Sequence, residues 1–276
     1  MKNAIIGCIT QYYPKDIQNW VESLNDLEID CDKVMLLFNE APKETVSYLE
    51  DHQIKILHFE IKNPIVVDRF LALYQFLLSN KYDYVLTTDV KDVVFQSNPF
   101  DWLKEKSFDK IVIGSESISC NNMPWSNQNY STSFPMEWDR MKDEVSFCAG
   151  VIAGKHELML NLFLQIWRLS IFSMSCIRQN PSMNPDQAAL NLIAHEKMTA
   201  NNFKKCFHSC GFVSHLSIPL DEYENLKNQV IDSVPKYDDE GFVYNENSEL
   251  FCIVHQYDRV DDLKEKINKR YVSRAI

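Results

Sequence analysis

The sequence predicts an α/β domain with a mainly parallel central sheet flanked by helices. Over the first hundred residues, short apolar runs of strand length alternate with segments of helical periodicity. Strand, helix, strand repeated three times implies right-handed crossovers and parallel pairing. The chain has 276 residues, 45% hydrophobic and 24% charged, which are globular proportions with length enough for a sizeable core. No internal repeat, low-complexity tract or linker divides it, so residues 1–276 read as a single domain.

The expected strands are Ala4 to Thr10, Lys33 to Phe38, Lys55 to Glu60 and Tyr84 to Thr88. Between them, Ile17, Trp20, Val21, Leu24 and Leu27 share one helical face, a second helix spans 43–52, and a third carries Phe70, Leu73, Leu77 and Leu78. Further on, Ile111 to Gly114 reads as a strand and Ser115 to Met141 as a long polar loop of functional or mobile character. Phe147 to Ala153 follows as a strand and Lys155 to Ser175 as a long helix. A turn around Asn180-Pro181 and Asn184-Pro185 leads into a helix with Asp186 at its N-cap. Phe212 to Ile218 and Leu250 to Val254 are the last expected strands, and a charged helix ends the chain. In a sheet of this kind ligands sit beyond the carboxyl ends of the strands. Attention therefore falls on Thr10 to Tyr13, Asn39 to Glu40 and Asp89 to Asp92.

Composition removes several function classes. Lys and Arg number 28 against 39 Asp and Glu, and the net charge of -11 repels polyanions, so nucleic acid is not an expected partner. Only 6 residues are glycine, against about 7% in ordinary proteins, which disfavours a glycine-rich phosphate loop. The eight cysteines are scattered without a CxxC pair, as expected of reduced thiols rather than a disulfide framework or a zinc site. The first ten residues read as a strand rather than a signal peptide, and Asn161, Gln165 and Arg168 interrupt the apolar run from Leu158 to Ile177. A cytoplasmic protein with no transmembrane segment is expected.

The chemistry concentrates in Tyr82 to Phe100, YDYVLTTDVKDVVFQSNPF. A strand there delivers Asp89 and Asp92, two carboxylates whose mutual repulsion a Mg²⁺ or Mn²⁺ ion between them would relieve. The alternative is that Asp89 caps the strand while Asp92 pairs with Lys91 or faces water. Placement after the fourth strand of an alternating sheet favours the metal.

This run resembles the metal-binding segment of nucleotide-sugar-dependent glycosyltransferases of the GT-A (Rossmann-like) fold, where an apolar strand ends in a DxD motif followed by Asn-Pro-Phe. Three later segments agree in order: FCAGVIAG at Phe147 to Gly154 is similar to the family's Asn-Ala-Gly strand, DQAALN at Asp186 to Asn191 to its Asp-Gln helix start, and IVHQYDR at Ile253 to Arg259 to the segment with the late metal-binding histidine. The spacing differs, since the motif here is DxxD. Counting back from Asn98-Pro99-Phe100 puts Asp92 on the second acidic position and Val90 on the first, while Cys148 stands where the family has asparagine.

The resemblance implies a nucleotide-binding half over 1–115 and an acceptor-side half with the last metal ligand over 116–276. Asp89, Asp92 and His255 would hold the metal, which would stabilise a departing nucleoside diphosphate. Arg69 is similar to the basic residue that reaches the nucleotide, with Asp68 beside it accepting from the donor sugar; the alternative for this pair is a helix-start ion pair. Thr10, Gln11 and Tyr12 would meet the base, and Gly150, Gln187 and Arg259 would contact the donor. Asp186 would act as base in an inverting enzyme or orient the sugar in a retaining one, and the motif set leans toward retaining. The donor is a nucleotide sugar, UDP by resemblance with GDP open, and the acceptor is a glycan or other hydroxyl. Trp125, Tyr130 and Trp138 offer an acceptor platform or anchor their loop in the core. The competing readings are a haloacid-dehalogenase-type hydrolase, disfavoured because the first strand ends in Thr10-Gln11, and a silent nucleotide-sugar-binding module.

Overall fold

The strands β1 (Ala4–Ile9), β2 (Asp32–Phe38), β3 (Lys55–Phe59) and β4 (Tyr84–Thr88) are joined by the helices α1 (Pro14–Asp26), α2 (Lys43–Asp51) and α3 (Ile65–Ser79) in the computed structural model, which describes residues 2–177 and 183–272. β5 (Val93–Phe95), α4 (Pro99–Lys106), β6 (Ile111–Ser119), α5 (Pro124–Ser133), α6 (Trp138–Met141), β7 (Val145–Lys155), α7 (His156–Ile177) and α8 (Pro185–His195) follow. β8 (Phe203–Cys206), β9 (Val213–His215), β10 (Lys236–Tyr237), β11 (Val243–Tyr244), β12 (Ile253–His255) and α9 (Asp261–Val272) complete the described chain.

Seven strands form the central sheet in the order β3-β2-β1-β4-β7-β6-β8. It is mostly parallel, and β7 runs antiparallel to both of its neighbours. Period-two alternation sends apolar side chains to both faces. Ile5, Met35, Leu37 and Leu86 pack with Trp20 and Leu24 of α1, while Ile6, Val34, Leu36 and Val85 pack with Phe70 and Leu73 of α3 and Phe163 and Ile166 of α7. From β1 the chain builds outward to β2 and β3 on one side and then returns to place β4 on the other. That reversal opens a crevice beyond the ends of β1 and β4. A second sheet, β5-β12-β9, lies at this end of the molecule and matters to the site, whereas β10 and β11 form a small separate hairpin.

Several sequence expectations change. The polar stretch from Ser115 to Met141 is not a loop: β6 continues to Ser119 and α5 and α6 follow. Many of its buried residues are polar, Ser115, Glu116, Ser117, Ser126 and Asn129, which breaks up the apolar periodicity that would announce these elements. β5 and α4 were unforeseen. A three-residue strand is too short to show a period, and the Asn98-Pro99-Phe100 triplet proves to be a helix start, with Asn98 Oδ1 accepting the Phe100 amide at 3.0 Å. The strand expected over Phe212 to Ile218 shrinks to Val213–His215. The N-cap of α8 is Asn184, which moves Asp186 into the first turn; the expected turn at Asn180-Pro181 lies outside the described residues. The seven cysteines described are free thiols. No helix among the described residues is long and apolar enough to cross a membrane.

One hydrogen bond ties the α1 layer to the strand that carries the site: the indole Nε1 of fully buried Trp20 donates to Thr88 Oγ1 at 2.8 Å, one residue before Asp89. Trp20→Phe keeps an aromatic body and strands that hydroxyl, so it should lower the unfolding free energy by about 1–3 kcal/mol in urea titrations. An unchanged midpoint would show that the bond does not anchor the end of β4.

Candidate metal centre and cleft

Beyond Thr88 the backbone keeps the ladder for one residue, the Asp89 amide donating to the Gly150 carbonyl at 2.7 Å. Val90 turns into the core, 3% exposed, so close to Gly7 that a β-carbon there would stand 2.7 Å from Val90 Cγ2. Lys91 points outward, with only a 4.0 Å contact to Asp16. Asp92 then returns to the cleft at the start of β5.

His255 arrives through β12. The antiparallel register pairs it with Val93, and the Gln256 amide donates to the Asp92 carbonyl at 2.8 Å. Its Nε2 lies 3.5 Å from Asp89 Oδ2 and 3.5 Å from Asp92 Oδ1. One atom from each of the three residues falls within a 4.8 Å cluster. Two carboxylate oxygens and an imidazole nitrogen suit Mg²⁺ or Mn²⁺, and residues with no such ion between them must rely on the histidine to offset the carboxylates. Gly150 leaves the room this requires: a β-carbon there would meet His255 Cε1 at under van der Waals distance and Asp89 Oδ2 at 2.8 Å.

Arg69 of α3 clamps the cluster from behind. Its Nη1 bonds Asp89 Oδ1 at 2.5 Å, and its Nη2 bonds Asp186 Oδ2 at 2.7 Å and the Ala149 carbonyl at 3.3 Å. The guanidinium therefore sits between two carboxylates from distant parts of the chain. Burial opposes ionisation of Asp89, but Arg69 and His255 together hold its carboxyl well below the usual range. Burial pushes Asp186 the other way and Arg69 only partly compensates, so that carboxyl stands above its ordinary value. His255 is also buried, which disfavours its cationic form, yet the Asp92 charge and hydrogen bonds to both aspartates outweigh this and raise it well above 6.5.

The cleft holds about 630 Å³, within the range of small-ligand sites. Of the residues singled out in the sequence, Tyr12, Arg69, Asp89, Asp92, Gly150, Asp186, Gln187, His255 and Arg259 line it. Thr10, Gln11 and Asp68 do not. Gln11 is exposed just after β1. Asp68 turns away to its own loop, accepting from the Lys62 and Asn63 amides at 2.7 and 2.9 Å and from Asn63 Nδ2 at 2.8 Å, so its task is to hold the entry to α3. Of the three aromatics, Trp125 reaches the cleft. Tyr130 is fully buried, with its hydroxyl at 2.9 Å from Ser146 Oγ, and Trp138 packs in the same small cluster.

Two polar residues escaped the sequence reading. Glu116 sits 3% exposed at the cleft wall, accepting from Ser146 Oγ at 2.5 Å and Gln187 Nε2 at 2.9 Å, and burial raises its carboxyl above the ordinary value. His215, on β9 beside β12, places its Nδ1 2.8 Å from His255 Nδ1. Only the β6 bulge and the β9–β12 register bring them here, and neither is written in local sequence. No family model matches the chain, and no curated protein matches it.

The raised His255 gives a pH signature. A group raised on folding stabilises fully below its unfolded value near 6.5, and that contribution is lost as pH rises through the folded value. Metal-free protein in chelator should lose thermal stability from about pH 7 upward more steeply than His255→Gln. Parallel melting curves from pH 6 to 9 for the two proteins would sink the electrostatic role of His255.

Proposed function

We propose that this protein is a metal-dependent glycosyltransferase of the GT-A type, moving a sugar from a nucleoside diphosphate sugar, by resemblance a UDP-sugar, to an acceptor hydroxyl. The observation that carries the reading is the convergence of Asp89, Asp92 and His255 at the carboxyl end of β4, inside the cleft where the strand order reverses. The order of the four sequence segments supports it. A reducing, cytoplasmic setting is proposed with it, in keeping with the free thiols.

When bound, a Mn²⁺ or Mg²⁺ ion would act as a Lewis acid toward the diphosphate leaving group. The protein's own residues supply the rest. Asp89, Asp92 and His255 would hold the cation, and Arg69 fixes the Asp89 carboxylate through its second oxygen. Tyr12, the one member of the expected base-binding trio in the cleft, offers an aromatic face to the base. Lys91, 59% exposed at the rim, and Arg259 supply positive charge toward phosphate. Asp186 is buried and paired to Arg69, which favours an orienting role over proton abstraction and agrees with a retaining reaction. Gln187 is likewise held, its Oε1 accepting the Ala149 amide at 3.4 Å and its Nε2 donating to Glu116. Cys148 in place of asparagine removes one hydrogen-bonding side chain from the donor wall.

Calorimetry with UDP in the presence and absence of Mn²⁺ tests the reading. UDP should bind with Mn²⁺ and at least about ten-fold more weakly without it, and Asp92→Asn should abolish the difference while leaving the melting curve cooperative. Metal-independent UDP binding, or none in either condition, would overturn the proposal. Release of free sugar from a panel of UDP- and GDP-sugars would separate an enzyme from a silent binding module.

A further inference from the structure

Behind the cluster just described lies a second set of ligating atoms, which the proposed reaction does not use. The parallel register of β9 and β12 sets His215 against His255, their rings 5.0 Å apart between centroids and nearly perpendicular at 80°. Their Nδ1 atoms are 2.8 Å apart, and Cys148 Sγ, from β7, lies 3.7 Å from His255 Nδ1. One atom from each of the three residues falls within 4.8 Å of the others. Cys148 is 3% exposed, His255 1% and His215 0%. His215 Nε2 is buried with no hydrogen-bond partner among the described residues, seated where a β-carbon on Gly114 would stand 2.5 Å from it. The ring thus gives up a hydrogen bond on one side and offers its other nitrogen to the triad.

We propose that Cys148, His215 and His255 form an inner site for a soft divalent cation of the Zn²⁺ class, and that filling it withdraws His255 from Asp89 and Asp92. The second clause rests on the outer cluster being a cation site; the first does not. Zinc bonds of about 2.0–2.1 Å to nitrogen and 2.3 Å to sulfur place tetrahedral ligands about 3.3 Å apart for two nitrogens and about 3.6 Å for nitrogen and sulfur. The sulfur to His255 distance already matches, and the two rings must part by about 0.5 Å from their hydrogen-bonded separation. A thiolate with two imidazoles is a soft set, chemically distinct from the oxygen-rich outer one. Coordination replaces the thiol proton, which leaves to solvent through the cleft that Cys148 and His255 line.

The coupling follows from the imidazole itself. A neutral ring has one lone-pair nitrogen and one N–H. With Nε2 given to an outer cation, Nδ1 keeps its proton and donates to His215. With Nδ1 given to an inner cation, Nε2 carries the proton and faces the two aspartates as a donor. One histidine therefore serves one site at a time.

Titration of the full-length metal-free protein with Co²⁺ reports the inner site directly, since thiolate ligation produces an intense charge-transfer absorption that oxygen and nitrogen ligands do not. That absorption should saturate in the wild type and in Asp92→Asn, and disappear in Cys148→Ser and His215→Gln. Its absence from the wild type, or its survival in Cys148→Ser, would overturn the inner site. Co²⁺ affinity read from that absorption with and without saturating Mn²⁺ reports the coupling: Mn²⁺, which leaves a thiolate site to the softer ion, should weaken it about ten-fold or more in the wild type and not in Asp92→Asn. A clear Co²⁺–thiolate signal whose affinity Mn²⁺ leaves unchanged would overturn the coupling alone, and a wild type that binds no Mn²⁺ would count against the outer site instead.

Discussion

The cleft is organised by an excess of carboxylates and by the two cationic groups that hold them. Asp89 and Asp186 come from distant parts of the chain, and the Arg69 guanidinium bridges them at 2.5 and 2.7 Å. Without it, a 2%-exposed Asp186 would be left as an uncompensated buried charge, which costs several kcal/mol by the usual order of magnitude. The bridge also joins α3 to the start of α8 and to the β4 terminus. Its geometry has a functional side. Nη1 of Arg69 holds Asp89 while Nη2 holds Asp186 and the Ala149 carbonyl, so the guanidinium fixes both carboxylates in the cleft wall.

Residues 1–90 were legible because their physics is local. Ile5 and Ile6 face opposite layers, the spacing of Ile17, Trp20 and Leu24 puts them on one helical stripe, and Tyr84 to Thr88 was read to the residue. The second half resisted for the opposite reason. β6 buries Ser115, Glu116 and Ser117, and α5 buries Ser126, Asn129 and Tyr130, so the apolar signature that marks a buried face is missing. Several of those polar groups are held in one connected network of Tyr130, Ser146, Glu116, Gln187 and Asn191. Site residues divide the same way. Asp89 and Asp92 announce themselves by position after a strand, whereas Glu116 reaches the cleft wall, and His215 its buried place behind His255, through a bulge and a strand register that no local pattern encodes.

Scarcity of glycine has a structural counterpart. The 6 glycines form no glycine-rich loop, and two of them stand where a side chain would collide with a site histidine, Gly150 against His255 and Gly114 against His215. Glycine is used here to make room for side chains. Under the proposed function, charge near a diphosphate would come from a cation and from Lys91 and Arg259, and a divalent ion would locally reverse an overall balance of -11 that is hostile to extended polyanions.

The extra residue in the acidic motif also has a physical reason. Asp89 belongs to the end of the central sheet, through its amide bond to Gly150, and Asp92 to the threshold of the β5-β12-β9 sheet, through its carbonyl bond to Gln256. The two residues between them carry the chain from one sheet to the other. Val90 spends the step in the core against Gly7 and Lys91 spends it in solvent, which leaves both aspartates facing the same space. An acidic residue at position 90 would bring its charge into an apolar seat that is 3% exposed, with no partner to compensate it. A DxxD spacing is thus what two carboxylates require when they converge from two sheets, and His255, paired to β5 and equidistant from both at 3.5 Å, is the residue that closes the gap.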